Sequence, residues 1–382
     1  MKILFISHYD NMYGANRALL SLMLGLKAAG EHEPLAVIPA EGEFTRRLKE
    51  EGIEYHICPV TQWQAIYRGP LSFALKRAKR RRRIEKELET LYALFKDAGI
   101  GLIHSNSSVV GTGAMLAERL GCPHVWHIRE FSEEHYGMKY FYPLRRVRSL
   151  YEKAECLVTI SEALRENYEK RYPAAHVIRI YDGAEEQPLP ERTAGEERHL
   201  RCLYVAYLFP KKHQLELLEA FEELDRKEYS LILAGGGDAS YEKKLRAYIE
   251  KQGLTNVELC GFTDRIPELL SRSDVGIMAS EYEGFGLVTV EYMLAGLPVV
   301  GFDSGATPEL VRQDLNGMIY KDREGLKEAL RKLKSDPGLA HKLGEAGRKR
   351  AKECFLSGRN TAEMIKLYHT LEEGIAKKLS HG

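Results

Sequence analysis

The sequence contains no Cys-x-x-Cys pair. Its six cysteines (Cys58, Cys122, Cys156, Cys202, Cys260, Cys354) are scattered along the chain. That argues against a disulfide framework and against a zinc knuckle, and for a reducing cytosol. No apolar run approaches the roughly 20 residues needed to span a bilayer. The opening stretch, residues 1–8, reads as a strand of about six residues rather than a signal peptide. Net charge is nearly absent too: 56 Lys+Arg stand against 55 Asp+Glu, so no global field draws the chain to nucleic acid.

At 382 residues the chain exceeds one typical core, and two domains are expected. In the first half, short apolar runs (residues 3–7, 35–38, 55–58, 102–105, 125–128, 156–160, 177–180) alternate with helical patterns (16–29, 44–51, 73–98, 112–120, 162–171). Such alternation predicts a parallel sheet covered on both faces. Residues 183–199, polar and containing Pro188, Pro190 and Gly195, read as a linker. The alternation then restarts, with strands at 201–206, 230–234, 257–260 and 275–279 and helices at 214–224, 241–252 and 266–271. The expectation is an α/β protein of two Rossmann-like doubly wound domains, residues 1–185 and 199–358, facing across a cleft. A final helix occupies 359–382. Ligands of such sheets sit beyond the carboxyl ends of the strands.

The most informative segment is Ser280-Glu281-Tyr282-Glu283-Gly284-Phe285-Gly286-Leu287-Val288-Thr289-Val290-Glu291. A buried strand precedes it, and a helix over 287–295 follows, closed by Gly296 and Pro298. Strand, glycine turn and helix suit an anion, because the first helical N–H groups have no internal partner and the dipole favours negative charge there. Gly284 and Gly286 allow a ligand close to the main chain. Glu283 and Glu291 suit neutral hydroxyls, vicinal diols above all. A ligand with both diphosphate and hydroxyls is a nucleotide sugar.

This segment resembles the Glu-x7-Glu signature of the family-4 retaining glycosyltransferases, which have the GT-B fold. Only Tyr292 and Leu294 depart notably from its pattern, both standing where small residues are usual. Tyr204-Val205-Ala206-Tyr207-Leu208-Phe209-Pro210-Lys211-Lys212-His213 is similar to a second family element whose Arg and Lys hold the donor diphosphate. Lys212 matches the Lys. Tyr207 replaces the Arg and His213 a Gly, so Lys211 or a first-domain arginine is left to supply the missing contact. Tyr13-Gly14-Ala15-Asn16-Arg17 resembles the family's first glycine loop, where Gly14 brings main chain near the donor. Phe262, in Cys260-Gly261-Phe262-Thr263, falls at the turn near the base, and Asp303-Ser304-Gly305-Ala306-Thr307-Pro308-Glu309 resembles a further family turn. In Trp126-His127-Ile128-Arg129-Glu130 the usual His near the reacting sugar is replaced by Arg129. His127 lies two residues earlier on the same strand face, so either faces the cleft.

The resemblance implies sugar transfer from a UDP- or GDP-type donor to a glycan or lipid-linked acceptor, with no cofactor. Glu283 would orient the sugar, Glu291 the ribose, and Lys212 with the N–H groups of Phe285, Gly286 and Leu287 would hold the phosphates. No Asp-x-Asp occurs in the chain, so a metal-dependent route lacks support. The cationic block Lys76-Arg77-Ala78-Lys79-Arg80-Arg81-Arg82-Arg83 reads as a solvated helix face or as a dock for anionic lipid on the inner face of the membrane. Nucleic acid is not an expected partner. Two rivals share these features: a sugar-nucleotide epimerase of the same architecture, and a non-catalytic nucleotide-sugar-binding protein.

Overall fold

The computed structural model describes residues 1–67, 69–190 and 199–380. The chain forms two compact units. Met1–Gly183 and Ser357–Gly382 make the first, and Ala184–Leu356 the second. The chain thus passes between units at Gly183 and again before Ser357. Residues 191–198 of the linker read at 183–199 lie outside the described residues.

The first unit is built on strands β1 (Lys2–Ile6), β2 (Glu33–Ile38), β3 (Glu54–Ile57), β4 (Gln64–Ile66), β5 (Ile100–Asn106), β6 (His124–Ile128), β7 (Met138–Tyr140), β8 (Cys156–Thr159) and β9 (Val177–Arg179). Seven of them form one sheet in the order β3-β2-β1-β5-β6-β8-β9, and every pairing within it is parallel. β4 and β7 make a separate antiparallel ribbon. The central strands are buried on both faces, as a sheet covered by helices on two sides demands; β1 and β8 are largely apolar, whereas β5 and β6 carry buried histidines. The strand order reverses between β1 and β5, the point where doubly wound sheets open a ligand crevice.

The second unit holds β10 (Leu200–Val205), β11 (Tyr229–Ala234), β12 (Val257–Gly261), β13 (Val275–Met278), β14 (Val299–Phe302) and β15 (Gly317–Tyr320). Its all-parallel order is β12-β11-β10-β13-β14-β15, with the reversal between β10 and β13.

Helix Ser357–Ser380, last in the chain, belongs to the first unit. Met364, Leu367 and Tyr368 enter the core formed by Leu19, Met23 and Leu26 of helix Gly14–Ala29 and by Ile3 and Phe5 of β1. Gly25 makes room for this packing, since a Cβ there would collide with Thr361. Among the described residues, no helix is long and apolar enough to cross a membrane.

β4, β7, β14 and β15 are absent from the strands read in the sequence, as are helices Leu144–Lys153, Arg323–Ser335 and Pro337–Cys354. β4 and β7 have three residues each, too few for a period. β14 and β15 have four residues and carry glycines, which read as turn signals.

Candidate functional site

At the reversal point of the second unit, two segments meet. The turn after β10 (Pro210–Lys212) carries Lys211 and Lys212, and the loop after β13 carries Glu281 and Glu283. Lys212 Nζ lies 2.8 Å from Glu283 Oε2, and Lys211 Nζ 2.9 Å from Glu281 Oε2. The Glu281 N–H also donates to the Lys211 carbonyl at 3.0 Å. The two predicted site groups, Lys212 and Glu283, are therefore direct partners. Their loops are sharply turned: His213 and Tyr282 adopt φ of 56° and 53°, values that non-glycine residues seldom take. His213 stands where glycine was expected, and its ring pairs with Glu216 at 2.9 Å.

Neighbouring loops fix the Glu283 backbone. Ala306 N–H donates to the Glu283 carbonyl at 2.9 Å, and Tyr282 N–H to the Ser304 hydroxyl at 3.1 Å. Gly305, at φ 56°, lies so close that a Cβ would strike the Glu283 main chain. Behind the lysines, the Tyr204 hydroxyl donates to the Lys212 carbonyl at 2.9 Å and meets Ser280 Oγ at 3.1 Å.

Gly286, at φ 88°, is the N-cap of helix Leu287–Leu294, and no acidic side chain occupies the first turn. The N-terminal N–H groups thus face no competing carboxylate from their own helix. Gly284 is buried, Leu287 and Glu291 are half-buried, and Phe285 is buried against Phe355. Phe285 therefore offers a ligand its main chain, not its ring. Tyr292 fills the space above Gly276 on β13, where any Cβ would strike its ring, and its hydroxyl accepts the Val205 N–H at 2.8 Å. The bulky departure from the family pattern is matched by a glycine on the strand beneath it. Phe262 follows β12 and is 72% exposed. Its Cβ lies over Gly236, where an added Cβ would approach it to 3.3 Å.

In the first unit, Gly14 is exposed and begins helix Gly14–Ala29 directly after the β1 loop. Asn16 is buried and ties that loop together. It accepts from the Ser7 hydroxyl at 2.6 Å and donates to the carbonyls of Tyr9 at 3.0 Å and Asn11 at 2.7 Å.

His127 and Arg129 require a correction. Neither presents an open face; both lie in a buried polar chain within the first unit. Arg129 donates to Asn106 Oδ1 and Asp182 Oδ2 at 2.5 Å each and lies 3.3 Å from His127 Nδ1. His104 Nε2 is 3.2 Å from the same Nδ1, and the Tyr368 hydroxyl is 2.8 Å from His104 Nδ1. Burial, then the Arg129 charge, holds both imidazoles well below their ordinary range, so they are neutral. The physical reason is local: β6 is a central strand paired with β5 on one side and β8 on the other, and its His127 side chain is fully buried, as Arg129 just after it nearly is.

Glu130, next along, accepts from the Ser107 hydroxyl and the Ser108 N–H at 2.8 Å each, and from the Ser108 hydroxyl. Burial pushes its carboxyl upward, and these donors offset part of that. It braces a strained turn: Ser107 has φ 132°. Asp182, His104, Ser107 and Ser108 carry no sequence signal of their own, since only the fold brings them together.

The family description "Glycosyl transferases group 1" matches residues 188–350, and "Glycosyl transferase 4-like domain" matches residues 13–183. The chain is 29% identical over 295 residues to the putative glycosyltransferase EpsD of Bacillus subtilis, covering 70% of this chain and 76% of that protein. It is 25% identical over 303 residues to the alpha-maltose-1-phosphate synthase of Mycolicibacterium smegmatis, covering 70% and 78%. Among solved structures, the sucrose-phosphate synthase of Thermosynechococcus elongatus superposes with TM-score 0.80 at 21% identity, covering 98% of this chain and 100% of that one. HepE of Anabaena in complex with UDP-glucose gives TM-score 0.79 at 21% identity, covering 97% and 100%. The fold is GT-B, and the chain is a member of the group 1 glycosyltransferases.

Proposed function

We propose that the protein is a retaining transferase that moves a sugar from a nucleotide-diphosphate donor, of UDP or GDP type, to a hydroxyl on a glycan or lipid-linked acceptor. The observation that carries this reading is the Lys212–Glu283 pair at 2.8 Å. A donor diphosphate competes for the Lys212 ammonium with more negative charge than one carboxylate has. Drawing Lys212 onto the phosphates releases Glu283 to accept hydrogen bonds from sugar hydroxyls. One loop contact is exchanged for two ligand contacts.

As the glycosidic bond breaks, charge builds on the leaving diphosphate. Lys212 and the first N–H groups of helix Leu287–Leu294 stabilise it in place, so the reading needs neither metal nor cofactor. Glu291 serves the ribose diol, and exposed Phe262 offers a flat apolar face to the base. His127 and Arg129 enter as supports of Asn106 and Asp182, not as groups touching the sugar. HepE, solved with UDP-glucose, supports the donor class by likeness of fold. EpsD and the maltose-1-phosphate synthase support sugar transfer itself.

The acceptor side adds a membrane. Lys76 to Arg83 are all exposed on helix Pro70–Phe95. Leu71 and Leu75, one turn apart on that helix, are 82% and 79% exposed. Apolar side chains flanked by cations suit an anionic bilayer surface, which agrees with a peripheral cytoplasmic protein on the inner face of the membrane.

The test is a thermal-shift panel of purified protein with UDP, GDP and ADP sugars, followed by product analysis of Glu283→Gln. Stabilisation by one nucleotide class and lost turnover in a folded variant are expected. Undiminished product from Glu283→Gln would refute the assignment.

A further inference from the structure

The opposite edge of the first sheet, where β1 and β2 begin, holds a separate cluster. His32 precedes β2. His369 and Glu372 lie one turn apart on helix Ser357–Ser380 and so share a face. One donor atom from each of the three lies within 4.8 Å of the others. The two imidazole rings are 5.0 Å apart between centroids.

Two independent observations point to a ligand. His32 is 4% exposed, and its Nε2 has no hydrogen-bond partner among the described residues. Its other nitrogen lies 3.3 Å from the Met1 amino group. Glu31, in turn, bonds His369 Nε2. A carboxylate on one imidazole nitrogen orients the ring and leaves Nδ1 with its lone pair, the arrangement found behind metal-binding histidines.

We propose that His32, His369 and Glu372 bind a divalent transition-metal ion, zinc in the first instance, that staples the last helix to the first unit. Two imidazoles and one carboxylate are a zinc donor set, whereas magnesium and calcium take oxygen alone. Zinc holds its donors at about 2.0–2.2 Å, which places them about 3.3 Å from each other in a tetrahedron. The cluster must therefore contract, which His369 and Glu372, both about half exposed, achieve by side-chain rotation. A water completes the shell. The ion is structural: this edge lies one strand length, about 17 Å, from the loop after β1, and sugar transfer is not routed through it.

The experiment uses full-length, untagged, metal-stripped protein, titrated with zinc against a chromophoric chelator and by thermal shift. One equivalent should bind and raise the melting temperature. Cobalt(II) should give a visible spectrum without a thiolate charge-transfer band. His369→Gln and Glu372→Gln should each weaken zinc at least tenfold, with melting in EDTA and donor-induced stabilisation unchanged. The proposal is overturned by no zinc-dependent rise in the parent protein, by parental affinity in both variants, or by a thiolate band that assigns the ion to a cysteine.

Discussion

Tyr292 and Gly276 are a matched pair: the tyrosine ring occupies the space that any Cβ at Gly276 would enter, and its hydroxyl accepts the Val205 N–H at 2.8 Å. Sequence alone shows a large residue where a small one is usual. The structure shows that β13 and helix Leu287–Leu294 keep their spacing because the missing volume is on the strand.

Tyr292→Ala is expected to cost about 3–5 kcal/mol, as other large-to-small core changes do. Tyr292→Phe should cost about 1–3 kcal/mol, because the Val205 N–H loses its partner. Gly276→Ala alone should also destabilise, whereas Gly276→Ala with Tyr292→Ala should be milder than the sum. Urea denaturation of the four proteins measures this, and strict additivity would contradict the pairing.

Lys212→Ala should abolish donor-induced stabilisation and lower kcat/KM at least 100-fold, equivalent to about 2.7 kcal/mol of lost transition-state stabilisation. Glu283→Gln should retain more nucleotide diphosphate binding than Lys212→Ala, because its proposed contacts are to the sugar. The double variant should lose less than the sum of the singles, since the two side chains share one ion pair. Calorimetric titration with the nucleotide diphosphate and initial rates with the nucleotide sugar separate the two roles.

Acid should unfold this protein through the first unit. His104 and His127 are held well below the ordinary histidine range by burial, and His124 is lowered to about 3. Unfolded, each titrates near 6.5. Between that value and its folded pKa, the unfolded chain binds a proton that the folded chain does not. The contribution of these rings is thus complete above about pH 6.5 and is lost as pH falls. Three such groups give a slope of up to about 4 kcal/mol per pH unit below about pH 5.5. Urea midpoints at pH 7.5, 6.0 and 5.0 report it. A flat profile would mean that the rings are charged in the folded protein.

Liposome sedimentation checks the basic helix. Anionic vesicles should pellet the protein at low salt and release it at high salt, and neutral vesicles should not pellet it. Lys79→Glu with Arg82→Glu should weaken pelleting, each lost cation removing about 1 kcal/mol. Leu71→Ser with Leu75→Ser should weaken what survives high salt, since apolar insertion is not screened. Equal pelleting with neutral and anionic lipid would remove the lipid-docking reading.

The doubly wound architecture was legible because continuous apolar runs and helical periods alternate, and the central strands are long enough to show it. Glu283 and Lys212 were legible because both lie in local patterns, a strand end followed by a turn. The environment of Arg129 was not. Its partners Asn106 and Asp182 and the His127–His104–Tyr368 chain come from four separate elements or loops. Two-residue periodicity put His127 and Arg129 on one face of β6, but periodicity does not say what covers that face. Gly276 beneath Tyr292 was hidden for the same reason, since strand-to-helix complementarity spans sixteen positions of sequence.

The last helix also sets an order of events during synthesis. The core that receives Met364, Leu367 and Tyr368 is made otherwise of residues 1–183, yet its final layer leaves the ribosome only after residues 184–356, a further 173 positions. At about 5–20 residues per second, that delay is roughly 9–35 s. During it the second unit has its whole sequence and can fold, while the first waits with an apolar groove uncovered. The half of the protein made first is therefore completed last, and a nascent chain stalled before residue 357 should expose that groove to chaperones.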